Sequence, residues 1–149
     1  MVLIDADGCP VVDLTIRLAA EHDQPVTLVC DTAHCFTRRD VRVLVVDKGA
    51  DSADFALVAL VNPGDIVVTQ DYGLAAMCLA KRALALNQNG LVFTDNNMDG
   101  LLAARHEAGK IRRGGGRLRG PKPRTKEEDA HFTQAFLHLL QKGEKQNVE

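Results

Sequence analysis

Short apolar blocks punctuate this chain, and their period changes from block to block. Val2–Ile4 is a brief apolar run that stops at Asp5-Ala-Asp7-Gly8, the pattern of a buried strand entering a turn. From Pro10 to Glu21 the apolar positions Val11, Leu14, Ile16, Leu18 and Ala19 suit a helix, and proline belongs in a first helical turn. Val26–Cys30 reads as a second strand ending at Asp31, followed by a polar loop from Thr32 to Asp40. Val41–Val46 is β-branched and strand-like, ending at Asp47. A helix is expected from Asp51 to about Val61, then a turn at Asn62–Asp65. A fourth strand, Ile66–Thr69, runs into Gln70-Asp71, and a helix follows from about Tyr72 to Ala83. A short segment at Leu84–Leu86 leads to the turn Asn87–Gly90. Leu91–Phe93 is the last expected strand, reaching Thr94-Asp95, with a helix from about Met98 to Ala108.

Strand and helix alternate throughout, which predicts βαβ units. The expected fold is α/β: a three-layer sandwich around a mainly parallel sheet of about five strands. A chain of 149 residues fits one domain and can bury a core without disulfides. That domain is expected over residues 1–142, with a frayed tail at 143–149. Gly, Pro and Arg make KIRRGGGRLRGPKPRTK, Lys110–Lys126, a loop. Glu127–Lys142 is amphipathic, with Phe132, Ala135, Phe136, Leu139 and Leu140 on one face, and is the expected closing helix.

Composition narrows the class. The hydrophobic share is 46% with one Tyr, five Phe and no Trp, so the core is expected to be mostly aliphatic. Apolar runs such as FALVALV, Phe55–Val61, fall far short of the ~20 residues that span a bilayer, and no membrane partner is expected. The opening MVLIDADGCP lacks a basic stretch and a long apolar core, so no secretion signal is read and the cytoplasm is the expected location. Cys9, Cys30, Cys35 and Cys78 form no CxxC pair and are expected as reduced thiols. Cys30, His34 and Cys35 cluster in sequence, but a zinc site needs a second ligand pair, so no zinc is expected. Gly114–Gly116 does not sit between a strand and a helix, and there is no Walker lysine motif, so no nucleotide cofactor is expected. The oligomeric state is not readable from the sequence.

Position gives the aspartates their interest. Asp5 and Asp7, Asp31, Asp47, Asp71 and Asp95 each follow an expected strand. In a parallel sheet such ends lie along one edge, where open α/β sheets bind ligands. Helix capping is the plain alternative for Asp31, Asp47, Asp71 and Asp95. It does not explain two acids, Asp5 and Asp7, before one helix; two apart in extended chain, they are expected to point the same way. Asp51 and Asp54 share a helical face. Such a cluster suits Mg²⁺ or Mn²⁺, which prefer carboxylate oxygen and water. One or two such ions activate a water and stabilise the leaving oxygen of a phosphodiester.

IDADGCP, KGADSADF, GDIVVTQDYGLA, LNQNG and RHEAGKIRRGGGRLRGPKPRT together resemble the YaiI/YqxD family of small bacterial proteins over nearly the whole chain. The resemblance implies a PIN-like fold of the NYN branch, whose members are mostly metal-dependent ribonucleases. It implies that Asp5, with Asp7 beside it, is the first-strand acid. Lys48, Gly49 and Asp51 match the group's lysine-glycine-x-aspartate segment, and Asp71 matches the acid after the fourth strand. Catalytic Asp5, Asp7, Asp51 and Asp71 are therefore expected, with Asp54 a further metal ligand. The NYN pattern places a second acid two residues after the last one, where this chain has Gly73.

The net charge of −2 conceals an uneven distribution: residues 105–126 carry nine Lys or Arg and only Glu107. Lys110, Arg112, Arg113, Arg117, Arg119, Lys122 and Arg124 are expected to contact the backbone of a nucleic acid, RNA before DNA, through salt-sensitive contacts blind to base sequence. No aromatic residue interrupts them, so base stacking is not expected. The reading is a metal-dependent nuclease acting on RNA. Its rivals are a non-catalytic RNA-binding or adaptor protein on a degenerate nuclease fold and, more distantly, a phosphatase of the haloacid dehalogenase kind, which Asp5-Ala-Asp7 imitates.

Overall fold

The computed structural model describes residues 1–31, 38–47, 52–103 and 123–147. Six strands form one sheet: β1 (Val2–Asp5), β2 (Val26–Asp31), β3 (Arg42–Val46), β4 (Ile66–Val68), β5 (Leu84–Leu86) and β6 (Val92–Phe93). The helices are α1 (Val12–Glu21), α2 (Ser52–Leu60), α3 (Tyr72–Ala80), α4 (95–103) and α5 (Lys126–Asn147). The strand order is β3-β2-β1-β4-β5-β6. All neighbours are parallel except β5 and β6. The chain thus winds outward from β1 through β2 to β3, then crosses back to β4 on the other side of β1.

β1 lies at the centre, and Val2, Leu3 and Ile4 are completely buried. Their alternation divides two cores. Val2 and Ile4 face Ile16 and Ala19 of α1 and Phe132, Phe136, Leu139 and Leu140 of α5. Leu3 faces Leu57 of α2, Leu74 and Cys78 of α3 and Met98 of α4. Helices therefore cover both faces of the sheet, as the strand–helix alternation predicts. Among the described residues, no helix is long and apolar enough to cross a membrane.

Three departures from the sequence reading have local causes. Leu84–Leu86 is a strand, although it lacks β-branched residues; pairing with β4 on one side and β6 on the other supplies its order. The connection from β5 to β6 is a tight turn in which Asn87 Oδ1 accepts from the backbone N–H of Asn89 and Leu91, each at 2.9 Å. A link this short forces antiparallel pairing. The closing helix also begins at Lys126 and continues through Gly143 to Asn147, where a frayed tail is expected. Gly143 is buried, and a Cβ built on it would lie 3.8 Å from the carbonyl oxygen of Gly64, so this residue packs against the turn before β4.

Candidate functional site

The crossover from β3 to β4 creates the site. The loops leaving β1 and β4 start side by side and diverge to helices on opposite faces, the kind of switch point at which open α/β sheets bind ligands. The first loop carries Asp5, Asp7, Gly8 and Cys9; the second carries Thr69, Gln70 and Asp71.

Hydrogen bonds stitch these loops together. Thr69 is 1% exposed, and its hydroxyl donates to Asp5 Oδ2 at 2.8 Å. The same hydroxyl oxygen accepts from the backbone N–H of Asp71 at 3.0 Å. Gln70 Nε2 donates to the carbonyl oxygen of Gly8 at 2.8 Å. Asp71 Oδ1 accepts from the N–H groups of Gly73 at 2.9 Å and Leu74 at 3.2 Å, so Asp71 is the N-cap of α3. Asp7 Oδ2 accepts from the N–H of Asp31 at 3.1 Å.

Burial pushes the Asp5 carboxyl above its ordinary value; the Thr69 hydroxyl opposes this, and the charges of Asp7 and Asp71 add to it. The three carboxylates therefore stand within electrostatic reach of one another. Their arrangement differs from the expected parallel pair. β1 ends at Asp5, and Asp7 already lies in a turn. Asp5 is bonded toward β4 and Asp7 toward β2. Asp54 sits half-buried in the first turn of α2. It and Asp5 both act on the Cys78 thiol, which burial first of all pushes up to about 11. Burial likewise pushes the Cys9 thiol up to about 11, with Asp5 adding to the rise and Arg124 opposing it.

The other aspartates part company. Asp31 ends β2 beside Asp7, and Asp47 is exposed beyond β3. Asp95 belongs to the opposite edge of the sheet, because β6 runs antiparallel; it is exposed at the start of α4. Lys48, Gly49 and Asp51, the sequence cluster of His34 and Cys35, and Lys110, Arg112, Arg113, Arg117, Arg119 and Lys122 lie outside the described residues. Arg124 is described and engaged. Its Nε donates to Asp129 at 2.5 Å, Nη1 to Asn89 Oδ1 at 2.8 Å and Nη2 to the carbonyl oxygen of Gln88 at 2.6 Å. It thus fastens the start of α5 to the β5–β6 turn.

Sequence reasoning missed Thr69 and Gln70. The available signal was the step from buried Ile66–Val68 into two consecutive polar residues before Asp71. Among the described residues, no group of three or more His, Cys, Asp or Glu side chains is placed to hold a metal ion.

The fold is that of a doubly wound α/β protein, with Asp5, Asp7 and Asp71 near its topological switch point. The chain belongs to the YaiI/YqxD family, described as "Uncharacterized BCR", whose model matches residues 3–142. A UPF0178 protein of Exiguobacterium sibiricum is 58% identical over 137 residues, which cover 92% of this chain and 94% of that one. A UPF0178 protein of Ruminiclostridium cellulolyticum is 48% identical over 139 residues, 93% of this chain and 91% of its own. UPF0178 protein CA_C2825 of Clostridium acetobutylicum is 44% identical over 144 residues, 95% of this chain and 97% of its own. No solved structure matches the chain.

Proposed function

We propose that this protein is a metal-dependent hydrolase of RNA phosphodiesters, working at the crevice between β1 and β4. The observation that carries the reading is the gathering of Asp5, Asp7 and Asp71 there, with Asp5 partly buried against like charges. Such a cluster is costly unless a cation compensates it. One or two of Asp5, Asp7 and Asp71 would hold Mg²⁺ or Mn²⁺ together with water, and the resemblance adds Asp51 and, after it, Asp54 as candidate ligands. A bound ion would supply an activated water and charge stabilisation at the leaving oxygen. Asp71 would orient its carboxylate from the rigid end of α3, and Thr69 would hold Asp5. The resemblance to PIN-like nucleases of the NYN branch agrees with this placement. Lys110, Arg112, Arg113, Arg117, Arg119 and Lys122 would contact the RNA backbone, independently of base sequence; Arg124 would serve chiefly as the clasp described above.

The test is cleavage of end-labelled single-stranded and structured RNA with Mn²⁺, Mg²⁺ or EDTA, beside Asp71→Asn. Asparagine caps a helix about as well as aspartate, so this variant keeps the fold while weakening the pocket. Metal-dependent cleavage that Asp71→Asn abolishes is the expected result; cleavage indifferent to both metal and variant sinks the proposal. One observation favours a second reading, an RNA-binding protein without turnover. Gly73 stands where the NYN pattern has another acid, and a Cβ there would lie 3.3 Å from Asp71 Oδ1. That reading predicts salt-sensitive RNA binding, no cleavage, and no effect of Asp71→Asn.

A further inference from the structure

We propose that the outer face of α2 and α3 docks a second copy of this chain, forming a reversible twofold dimer. The two helices lie side by side over one face of the sheet. A surface helix ordinarily turns charged and polar side chains to water. On the other face α1 and α5 do so: Asp13, Arg17 and Glu21 are exposed on α1, and Glu127, His131, Gln134 and His138 on α5. Among their described side chains α2 and α3 do the opposite. The exposed ones are Phe55 and Ala59 on α2 and Met77 and Ala80 on α3. Phe55 keeps 66% of its surface exposed. An exposed apolar patch, unlike a lone exposed apolar residue, marks an interaction surface.

Charge and shape select the occupant. Asp54, half-buried, is the one charged residue within Ser52–Leu60 and Tyr72–Ala80. Lys81, just past α3, is drawn to the end of α2, where its Nζ donates to the carbonyl oxygen of Val58 at 2.7 Å. A charged partner, nucleic acid included, would lose hydration against this face and gain no ion pair in return. The sequence of residues 104–122 does not suit it either, with Ile111 and Leu118 its only large apolar residues beside seven Lys or Arg. The same face of a second copy is neutral and apolar, and it complements itself. Phe55 and Met77 are its large side chains, while Ala59, Ala76 and Ala80 leave low ground between them. A twofold axis lays Phe55 of each copy on the alanines of the other copy's α3, the self-complementary contact of most dimers. Area sets the strength. Helices of nine residues are ~13.5 Å long and about 10–12 Å across, so the outer half of the pair offers up to about 500 Å². Two copies then bury about 1,000 Å², the size of a transient complex and not of a permanent one.

The experiment is sedimentation equilibrium of the full-length protein with a reductant present, from about 5 to 500 µM and at about 0.15 and 0.5 M NaCl. Wild type is compared with Phe55→Glu, Ala59→Glu and Arg17→Ala. All three positions are exposed, so the variants keep the fold, which circular dichroism checks. The wild-type weight-average mass is expected to climb from 16.2 kDa toward twice that value, and to do so equally at both salt concentrations. Phe55→Glu is expected to weaken association at least about 30-fold, the loss of an interface anchor. Ala59→Glu should act in the same direction, and Arg17→Ala on the other face should change nothing. A wild-type protein that stays at 16.2 kDa throughout overturns the proposal; flotation of that monomer with zwitterionic lipid vesicles, lost in Phe55→Glu, would assign the face to a lipid surface instead. A dimer left intact by both Phe55→Glu and Ala59→Glu, or dissolved by the higher salt, also overturns it, because the second copy then docks elsewhere or through charge.

Discussion

Two glycines with the same backbone sign but different surroundings provide a test of how the β5–β6 turn meets α5. Gly90 has φ +84° and Gly8 has φ +72°. Alanine at either position meets the left-handed penalty, about 1–2 kcal/mol, partly offset by ~0.4–1 kcal/mol from a less flexible unfolded chain. Gly8 meets nothing else, because a Cβ built there has no heavy atom within 4 Å. At Gly90 the Cβ would lie 2.5 Å from the backbone oxygen and 2.8 Å from the backbone carbon of His131. Neither atom can rotate away. Ordinary contact begins at 3.4 Å, so the turn must retreat from α5 by about 0.9 Å, an overpacking strain of about 1–3 kcal/mol. Gly90→Ala is therefore expected to lose about 1–4.5 kcal/mol and Gly8→Ala about 0–1.5 kcal/mol, the difference being the overpacking of about 1–3 kcal/mol. For a chain of this size, a loss of 3 kcal/mol lowers Tm by roughly 6–12 °C. Urea unfolding followed by circular dichroism measures both variants. Equal losses for the two would refute the reasoning, because they would mean that the close approach to His131 carries no strain.

Three further outcomes follow from the same contacts. Asp5→Asn keeps an acceptor for Thr69 and removes a partly buried charge, so the metal-free variant should be more stable than wild type at pH 7. Because the folded carboxyl is raised above 3.8, the wild-type penalty grows as pH rises through that value and the folded one; the advantage of Asp5→Asn should shrink toward pH 4. Urea midpoints at pH 7 and pH 4 check both the sign and the trend, and a variant less stable at pH 7 contradicts it. Phe136 is fully buried and stacks on Phe132 with ring centroids 5.5 Å apart; Phe136→Ala should lose about 3–5 kcal/mol in the same assay. Arg124→Ala breaks the clasp to Asn89, Gln88 and Asp129, for a loss of about 1–3 kcal/mol. Hydrogen exchange should accelerate in the first turns of α5, and Arg124→Lys should not restore protection, because an ammonium cannot reproduce the fork.

Local pattern carried most of the element list. Val2–Ile4, Val26–Asp31 and Ile66–Val68 were legible because strands buried on both faces read as unbroken apolar runs. Asp71 was legible as a cap, and the structure shows it capping α3. Leu84–Leu86 was not legible as a strand: three residues without β-branching take their conformation from β4 and β6. Thr69 and Gln70 gave little sign of importance in sequence, because a hydroxyl and an amide acquire meaning only from the atoms opposite them.

By itself, then, the sequence determined the strand–helix alternation, the α/β class, the family and the positions of acids at strand ends. Each of these follows from neighbours along the chain, through side-chain period, turn chemistry and residue order. The tertiary structure decided which acids meet. Strand order set β1 beside β4 and so joined Asp5 to Asp71 through Thr69. Strand direction sent Asp95 to the far edge, and the turn after β1 aimed Asp7 toward β2. These outcomes depend on hydrogen bonds between residues far apart in the chain, such as Asp5 and Thr69 at a separation of 64, which no local period encodes.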